Sequence, residues 1–516
     1  MNNGPVATSE SKTTGTPGDG GRNGAARTTT ARALAPEWLV LAVACVGQFM
    51  VVLDVSIVNV ALPSIRRDLG FSEAGLQWVV NAYTLTFAGF LLLGGRVADV
   101  FGSRRIFMAG LGLFTVASMV GGISQSQDML VGARALQGLG AAVLAPATLT
   151  ILTTTFAEGA PRAKAMGAWS AVSGAGGAVG ALLGGLLTGS LSWRWILFIN
   201  VPVGIVTMVA AGLYLAKGDR SGAQRRASLD LPGAVIVTAG LTTLVYGIVR
   251  SQSGGWLAAG TLGTLAAAVL LLAWFVVHEA RVAAVPLMPL RIFRSQSLSA
   301  ANLVMMGLGA SLFGTWFFMS LYLQGVLHYS PLRTGFAFFP QTVAIIVGAQ
   351  VSSRLVGRIG VRPFLIGGPL LSAAGLYWLS FAGVHGDYWS RLFVPSVLVT
   401  LGGGLAFAPV AIAATSGVAR AEAGLASGLV TTARQVGGAV GLAALATVAA
   451  GRTHALVALG TASGGLPGPA LMASALTRGY TDAFDWAAVI SVGAAAAALA
   501  IPRRRQASVD GPVATH

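Results

Sequence analysis

The sequence predicts an all-α polytopic membrane protein with fourteen transmembrane helices. Of the 516 residues, 54% are hydrophobic and only 10% are charged, and mean hydropathy is +0.74, so most of the chain has no water-soluble fold open to it. Fourteen apolar runs recur along the chain, each near the ~20 residues that a helix needs to cross a bilayer. Lys and Arg concentrate in alternate loops, which sets one orientation. A net charge of +16 would point to nucleic acid in a soluble protein, but basic cytoplasmic loops account for it here, so no nucleic-acid partner is expected.

Residues 1–36 are rich in Gly, Thr, Ser and Arg without hydrophobic periodicity and read as a disordered cytoplasmic tail. The first apolar run, Trp38 to Ala61, is too long for a signal-peptide core and has no small-residue cleavage site after it. Runs at 75–95, 106–124, 129–152, 165–188 and 195–216 follow, so 37–217 reads as an N-terminal six-helix bundle. The polar stretch from Lys217 to Arg226 breaks the pattern. Two runs at 231–249 and 257–277 then make 218–290 a pair of linker helices, whose sparse polar content, Tyr246 apart, suggests a peripheral role. Runs at 298–326, 335–353, 363–383, 391–415, 424–449 and 484–501 give a C-terminal six-helix bundle over 291–502, followed by a cytoplasmic tail at 503–516. With both tails in the cytoplasm, basic residues on that side outnumber those outside by roughly three to one. Arg66 and Arg67 run against the rule, softened by Asp68 and Glu73, while Arg134 and Arg434 fall within helices.

An internal repeat appears at an offset near 260. Gly176-Gly177-Ala178-Val179-Gly180 returns as Gly437-Gly438-Ala439-Val440-Gly441; Arg96…Gly102-Ser103-Arg104 is echoed by Arg354…Gly360-Val361-Arg362, and Ala145-Pro146 by Ala408-Pro409. Repeated six-helix bundles are a transporter pattern.

The chemistry-bearing residues are few. Asp54 lies inside the first apolar run, some 6 Å beyond its midpoint at ~1.5 Å per residue. A carboxylate there must face a protein interior or a wet cavity. It is either a structural acid paired with a buried Arg or Asn, or a group that binds and releases a proton. Arg134 is a fixed cation that needs a carboxylate or carbonyls, and it could act on such an acid. The five His residues are scattered, Cys45 is the single cysteine and no P-loop occurs, so neither an enzyme, a metal site, a cofactor nor ATP is expected.

Four segments resemble the fourteen-spanner drug:proton antiporters of the major facilitator superfamily, over residues 38–501. They are Leu53-Asp54 through Val58-Asn59-Val60-Ala61-Leu62-Pro63; Gly95-Arg96-Val97-Ala98-Asp99-Val100-Phe101-Gly102-Ser103-Arg104-Arg105; Arg134-Ala135-Leu136-Gln137-Gly138-Leu139-Gly140; and the glycine-rich fifth run with Trp193-Arg194-Trp195 and Phe198-Ile199-Asn200-Val201-Pro202. Two departures stand out: Gly180-Ala181 where the family has Gly-Pro, and Val100 where a basic residue is common. The resemblance implies the major facilitator fold, alternating access, and a multi-pass protein of the bacterial cytoplasmic membrane. It implies proton-driven efflux of lipophilic drugs or antibiotics, with no cofactor beyond the proton gradient, as a monomer among membrane lipids. Asp54 and Arg134 would couple the proton. Gly95, Asp99, Gly102, Arg104 and Arg105 would form a cytoplasmic latch, with Asp99 at the positive end of a helix from the other half. Gly177, Gly180 and Gly184 would serve the gate between halves, since small residues at such spacing let helices approach. The candidate substrate cavity comprises Asn59, Asn81, Tyr83, Gln137, Trp169, Met305, Trp316, Phe317, Arg434 and Gln435. With Gln341 and Gln350 rather than an acid in the tenth run, neutral or singly cationic substrates are expected over dications. A dedicated exporter of one metabolite and a proton-coupled importer are the alternatives.

Overall fold

The computed structural model describes residues 36–215, 229–384, 386–416, 418–419, 422–462 and 468–502. The predicted tails, Pro36 apart, and residues 216–228 lie outside the described residues. Among these residues every regular element is helical, and fourteen helices are long. They are α1 (Glu37–Leu69), α2 (Trp78–Phe101), α3 (Ser103–Gly122), α4 (Gln127–Thr155), α5 (Ala160–Ser190), α6 (Trp195–Tyr214), α7 (Leu231–Gly254), α8 (Ala259–Val277), α9 (Gln296–Gly325), α10 (Pro331–Ile359), α11 (Arg362–Leu379), α12 (Val394–Thr415), α13 (Ala423–Ala462) and α14 (Pro469–Ala498). Twelve are long and apolar enough to cross a membrane by themselves. α11 misses through its Gly, Pro and Arg362, and α14 through Asp482 and Asp485.

The expected runs and the helices agree in order but not in length. Hydropathy sees only the hydrocarbon-facing part of a helix, and several helices project beyond it. α1 passes through Pro63 to Leu69 and stops at left-handed Gly70, which puts Asp54 at its midpoint rather than beyond it. The C-terminus of α13 and the N-terminus of α14 each run more than ten residues past the expected bounds, and Arg452 and Asp482 meet there at 3.2 Å.

The packing makes the repeat physical. α1 packs on α5, α2 on α4, α3 on α4 and on α6; eight helices later α9 packs on α13, α10 on α12, α11 on α12 and on α14. The short echoes fall at matching places. Gly102 and Gly360 end α2 and α10 with φ of +90° and +82°, a backbone that favours glycine. Arg104 and Arg362 then donate to Gly212 O (2.5 Å) and Leu499 O (2.9 Å), at the end of the sixth helix of each set. Gly437 and Gly441 lie against α9 as Gly180 and Gly184 lie against α1.

Hydrophobic packing is asymmetric along the bundle. Toward the end holding the α1 C-terminus one cluster joins both sets, with Ile57, Leu62 and Val79 packed alongside Phe317, Phe318 and Leu442. Toward the other end each set has its own core, one around Phe107 and Leu144, the other around Leu298 and Val410. Hydrogen bonds cross the shared end: Ser320 Oγ donates to Asn59 O (2.6 Å) and Gln324 Nε2 to Val60 O (2.8 Å).

α5 separates its two small-residue stripes by partner. Gly176, Gly180 and Gly184 meet Val52, Leu53, Ser56 and Ile57 of α1, inside one set. Gly177, Ala181 and Gly185 meet Thr342, Gly335 and Pro331 of α10, across the seam. A Cβ on Gly185 would stand 2.6 Å from Pro331 O, a backbone atom that cannot yield. Gly185→Val is therefore expected to part α5 from α10, so that a cysteine placed at Asn59 becomes labelled by a water-soluble maleimide at least tenfold faster. Unchanged labelling would show that the seam absorbs the side chain.

Of the two additional helices, only α7 departs from the expected peripheral role. α8 packs chiefly on α7, and its apolar flank is open. α7 instead straddles the seam, touching α2 and α13, with Thr238 against Gly89 and Gln252 Nε2 donating to Thr447 Oγ1 (2.9 Å). Asp230 caps α7 and binds His278 Nε2 at 2.7 Å. Burial pushes the Asp230 carboxyl up, but the hydrogen bonds from His278 and the Gly233 amide outweigh it and hold Asp230 below its ordinary range.

Candidate functional site

The midpoint of α1 is where the polar residues of five helices converge. Asp54 is fully buried there and Arg134 of α4 is 2% exposed. Arg134 Nη1 donates to Asp54 Oδ2 and also to Gln137 Oε1 at 2.7 Å. Gln137 Nε2 donates to Asp54 Oδ1 (3.0 Å) and Ser118 Oγ (2.7 Å), and Asn200 Nδ2 reaches Asp54 Oδ1 at 3.3 Å. The guanidinium is held further by Nε donating to Val79 O (3.0 Å) and by the Tyr83 ring 4.5 Å away. Arg134 and Gln137 lie one helical turn apart, so α4 presents both to the same carboxylate.

Every contact to Asp54 is a donor, which matches a carboxylate with two acceptor oxygens. A proton added to either oxygen would turn an acceptor toward a donor and break that match. The donors facing Asp54 are thus matched in one protonation state and not in the other, while Asn200 Oδ1 is buried without a partner. Leaving either charge buried alone costs several kcal/mol, about 3–5 in comparable sites.

The sequence pairing of Asp54 with Arg134 is reproduced in space. Gln137 and Tyr83, expected in a substrate cavity, belong instead to this cluster, because both point into the bundle and are essentially unexposed. Asn200 and Ser118 were missed as site residues. Asn200 offered a signal, a lone amide in the sixth apolar run, whereas a single serine such as Ser118 gives none.

Other predicted cavity residues do not gather in one wall. Asn59 and Trp316 line a cavity of about 10 Å³ between the two sets, with Ser56, Val60, Ala181, Phe338 and Thr342. That is room for about one water molecule. Asn81 is buried beside Gln77, and Trp169 is half-buried with Nε1 donating to Thr148 Oγ1 at 3.0 Å. Met305 and Phe317 are core residues, Phe317 edge-on to Phe318, because packing claims most aromatic and Met side chains. Gln435 is buried, while Arg434 is half-buried 5.7 Å from the Phe407 ring centroid.

At the α2–α3 turn, Gly95 faces Pro146, and Arg96 donates to Val285 O (2.9 Å) and Pro286 O (3.1 Å). Asp99 and Arg105 are exposed. Asp99 makes no hydrogen bond or ion pair among the described residues, so the expected contact with a helix of the other half is not seen among them. The turn lies at the end where the cores are separate, which is where an opening between the sets would break such a contact.

A multi-pass helical bundle built from two matching sets, with one buried acid–arginine pair and a seam closed at one end, is the architecture of a membrane transporter. Residues 44–442 match the Major Facilitator Superfamily, and the chain belongs to it. It is 44% identical to the cephamycin export protein CmcT of Amycolatopsis lactamdurans, covering 92% of this chain and 94% of that one. It is 42% identical to the puromycin resistance protein pur8 of Streptomyces alboniger, over 87% and 88% of the two chains. Among solved structures, a bacterial homolog of the human lysosomal transporter Spinster, inward-facing and occupied, aligns with a TM-score of 0.64 at 17% identity, covering 90% of this chain and 96% of that one. That likeness concerns the fold alone.

Proposed function

We propose that this protein exports lipophilic drugs or antibiotics across the bacterial cytoplasmic membrane in exchange for protons. The export of antibiotics is supported by relatives named for cephamycin export and puromycin resistance. Proton exchange is supported by one observation above others, the fully buried Asp54 matched to Arg134. Protonation of Asp54 from outside releases Arg134 to its remaining acceptors, Gln137 Oε1 and Val79 O, and loosens the α1–α4 contact. Substrate binding from inside favours the state in which the proton leaves. One charge crossing 100 mV supplies about 2.3 kcal/mol, enough for a substrate gradient of roughly fortyfold.

In this reading both tails are cytoplasmic, the monomer is the working unit among membrane lipids, and the proton gradient is the energy source. The two halves rock about the seam between α5 and α10 and between α2 and α13. The conformation described has its outer end closed, and Asp99 takes up its latch contact when the inner end closes. A dedicated exporter of a single metabolite is the second reading, favoured by relatives named for single compounds.

The test is uptake into inside-out vesicles under an imposed pH gradient, using puromycin, a cephamycin and a neutral lipophilic dye. Gradient-dependent accumulation of two or more supports drug export; accumulation of one alone selects the dedicated exporter. Accumulation that ignores the gradient would remove proton exchange from the reading.

A further inference from the structure

Two arginines lie deep in the long helices, and they are treated differently. Arg134 is neutralised by Asp54, whereas Arg434, eleven residues into α13, has no acid. Among the described residues its guanidinium bridges to no carboxylate, and its Nε has no hydrogen-bond partner. The six helices α9–α14 carry only two acids, Asp482 and Asp485, both on α14, and neither pairs with it. Asp99 at the end of α2 is exposed and does not reach it. An unpaired charge inside a membrane protein is costly, so it persists where an anion arrives to meet it.

The surroundings fit one kind of visitor. The Phe407 ring lies 5.7 Å from Arg434 Cζ, and a guanidinium held against an aromatic face keeps its in-plane N–H groups available for a carboxylate. Toward the end where the two sets have separate cores, apolar side chains pack together, with Leu429, Val430 and Val410 buried and Leu92 half-buried against them. Arg434 itself is half-buried, with its Nε fully buried.

We propose that Arg434 recognises an anionic group on the transported compound, so that this exporter prefers amphiphiles carrying a carboxylate. The inference rests on the export reading above and departs from the neutral or cationic substrates expected from the sequence. The carboxylate forks onto the guanidinium while the apolar body lies against Phe407 and its neighbours. No proton or covalent bond changes hands at Arg434; its contribution is charge and shape.

The test uses full-length protein in phosphatidylcholine nanodiscs, titrated with 1-pyrenebutyrate and with its neutral amide, 1-pyrenebutyramide, each corrected for empty discs. The wild type is expected to bind the acid at least tenfold more tightly than the amide. Arg434→Gln should bring that ratio to near one, and Arg434→Lys, which keeps the charge but not the fork, should lie between. Equal binding of acid and amide by the wild type, binding of neither, or a ratio unchanged in Arg434→Gln would overturn the anion site. So would loss of the acid preference when phosphatidylglycerol replaces part of the lipid, since that assigns Arg434 to lipid headgroups. The export reading is checked separately by drug-driven proton movement in proteoliposomes. Its absence in wild type, with the acid preference intact, would overturn only the assignment of the bound anion as a transported substrate.

Discussion

Asp54→Asn is expected to reduce proton-driven drug uptake in inside-out vesicles to the passive leak while the protein still folds and inserts. Asparagine keeps the shape and one acceptor oxygen, so Gln137 and Asn200 retain a partner. It removes the site where a proton can bind. If the transport cycle passes through a neutral Asp54, the surrounding structure already accommodates that state, with Arg134 turned to Gln137, Val79 O and the Tyr83 face. Those acceptors offset part of the several kcal/mol that leaving Arg134 without its acid costs, so some loss of stability accompanies the functional one. Vesicles that still accumulate drug in response to a pH gradient would show that another group carries the proton.

Arg134→Gln is expected to act the other way, on stability first. It strands the Asp54 carboxylate in a site from which water is excluded, a loss of about 3–5 kcal/mol in comparable buried pairs. Thermal unfolding in detergent, followed by fluorescence-detected size exclusion, should register a clear drop in midpoint. The double variant Asp54→Asn with Arg134→Gln should recover most of that drop, because no charge is left unpaired, yet should not recover proton-driven uptake. A single variant as stable as wild type would mean that the pair contributes nothing net to the fold. A double variant no better than the single would place the loss in packing around Tyr83 and Val79 rather than in charge.

The same two residues show where sequence reading reaches and where it stops. Asp54 and Arg134 were legible because each violates its surroundings, a charge inside an apolar run, and the cost of such a violation holds without reference to any particular fold. Glycine 102 was legible for a similar reason, since a turn between two long helices needs a backbone that few other residues adopt. Phe317, Met305 and Tyr83 violate nothing. An aromatic or Met in an apolar helix suits lipid, core or cavity equally, and only the neighbours on other helices choose among them.

By itself, then, the sequence determined the number and order of the helices, the repeat, and the charges inside apolar runs at Asp54, Arg134 and Arg434. Each of these follows from local composition or from a charge that water or a partner must satisfy. The tertiary structure alone decided which face of α5 meets α1 and which meets α10, that α7 crosses the seam while α8 stays outside, that Asn200 and Ser118 complete the Asp54 cluster, and that Arg434 is left without an acid. Those outcomes depend on which residues of different helices meet in space, many of them more than a hundred positions apart, and neither hydropathy nor helical spacing carries information about such meetings.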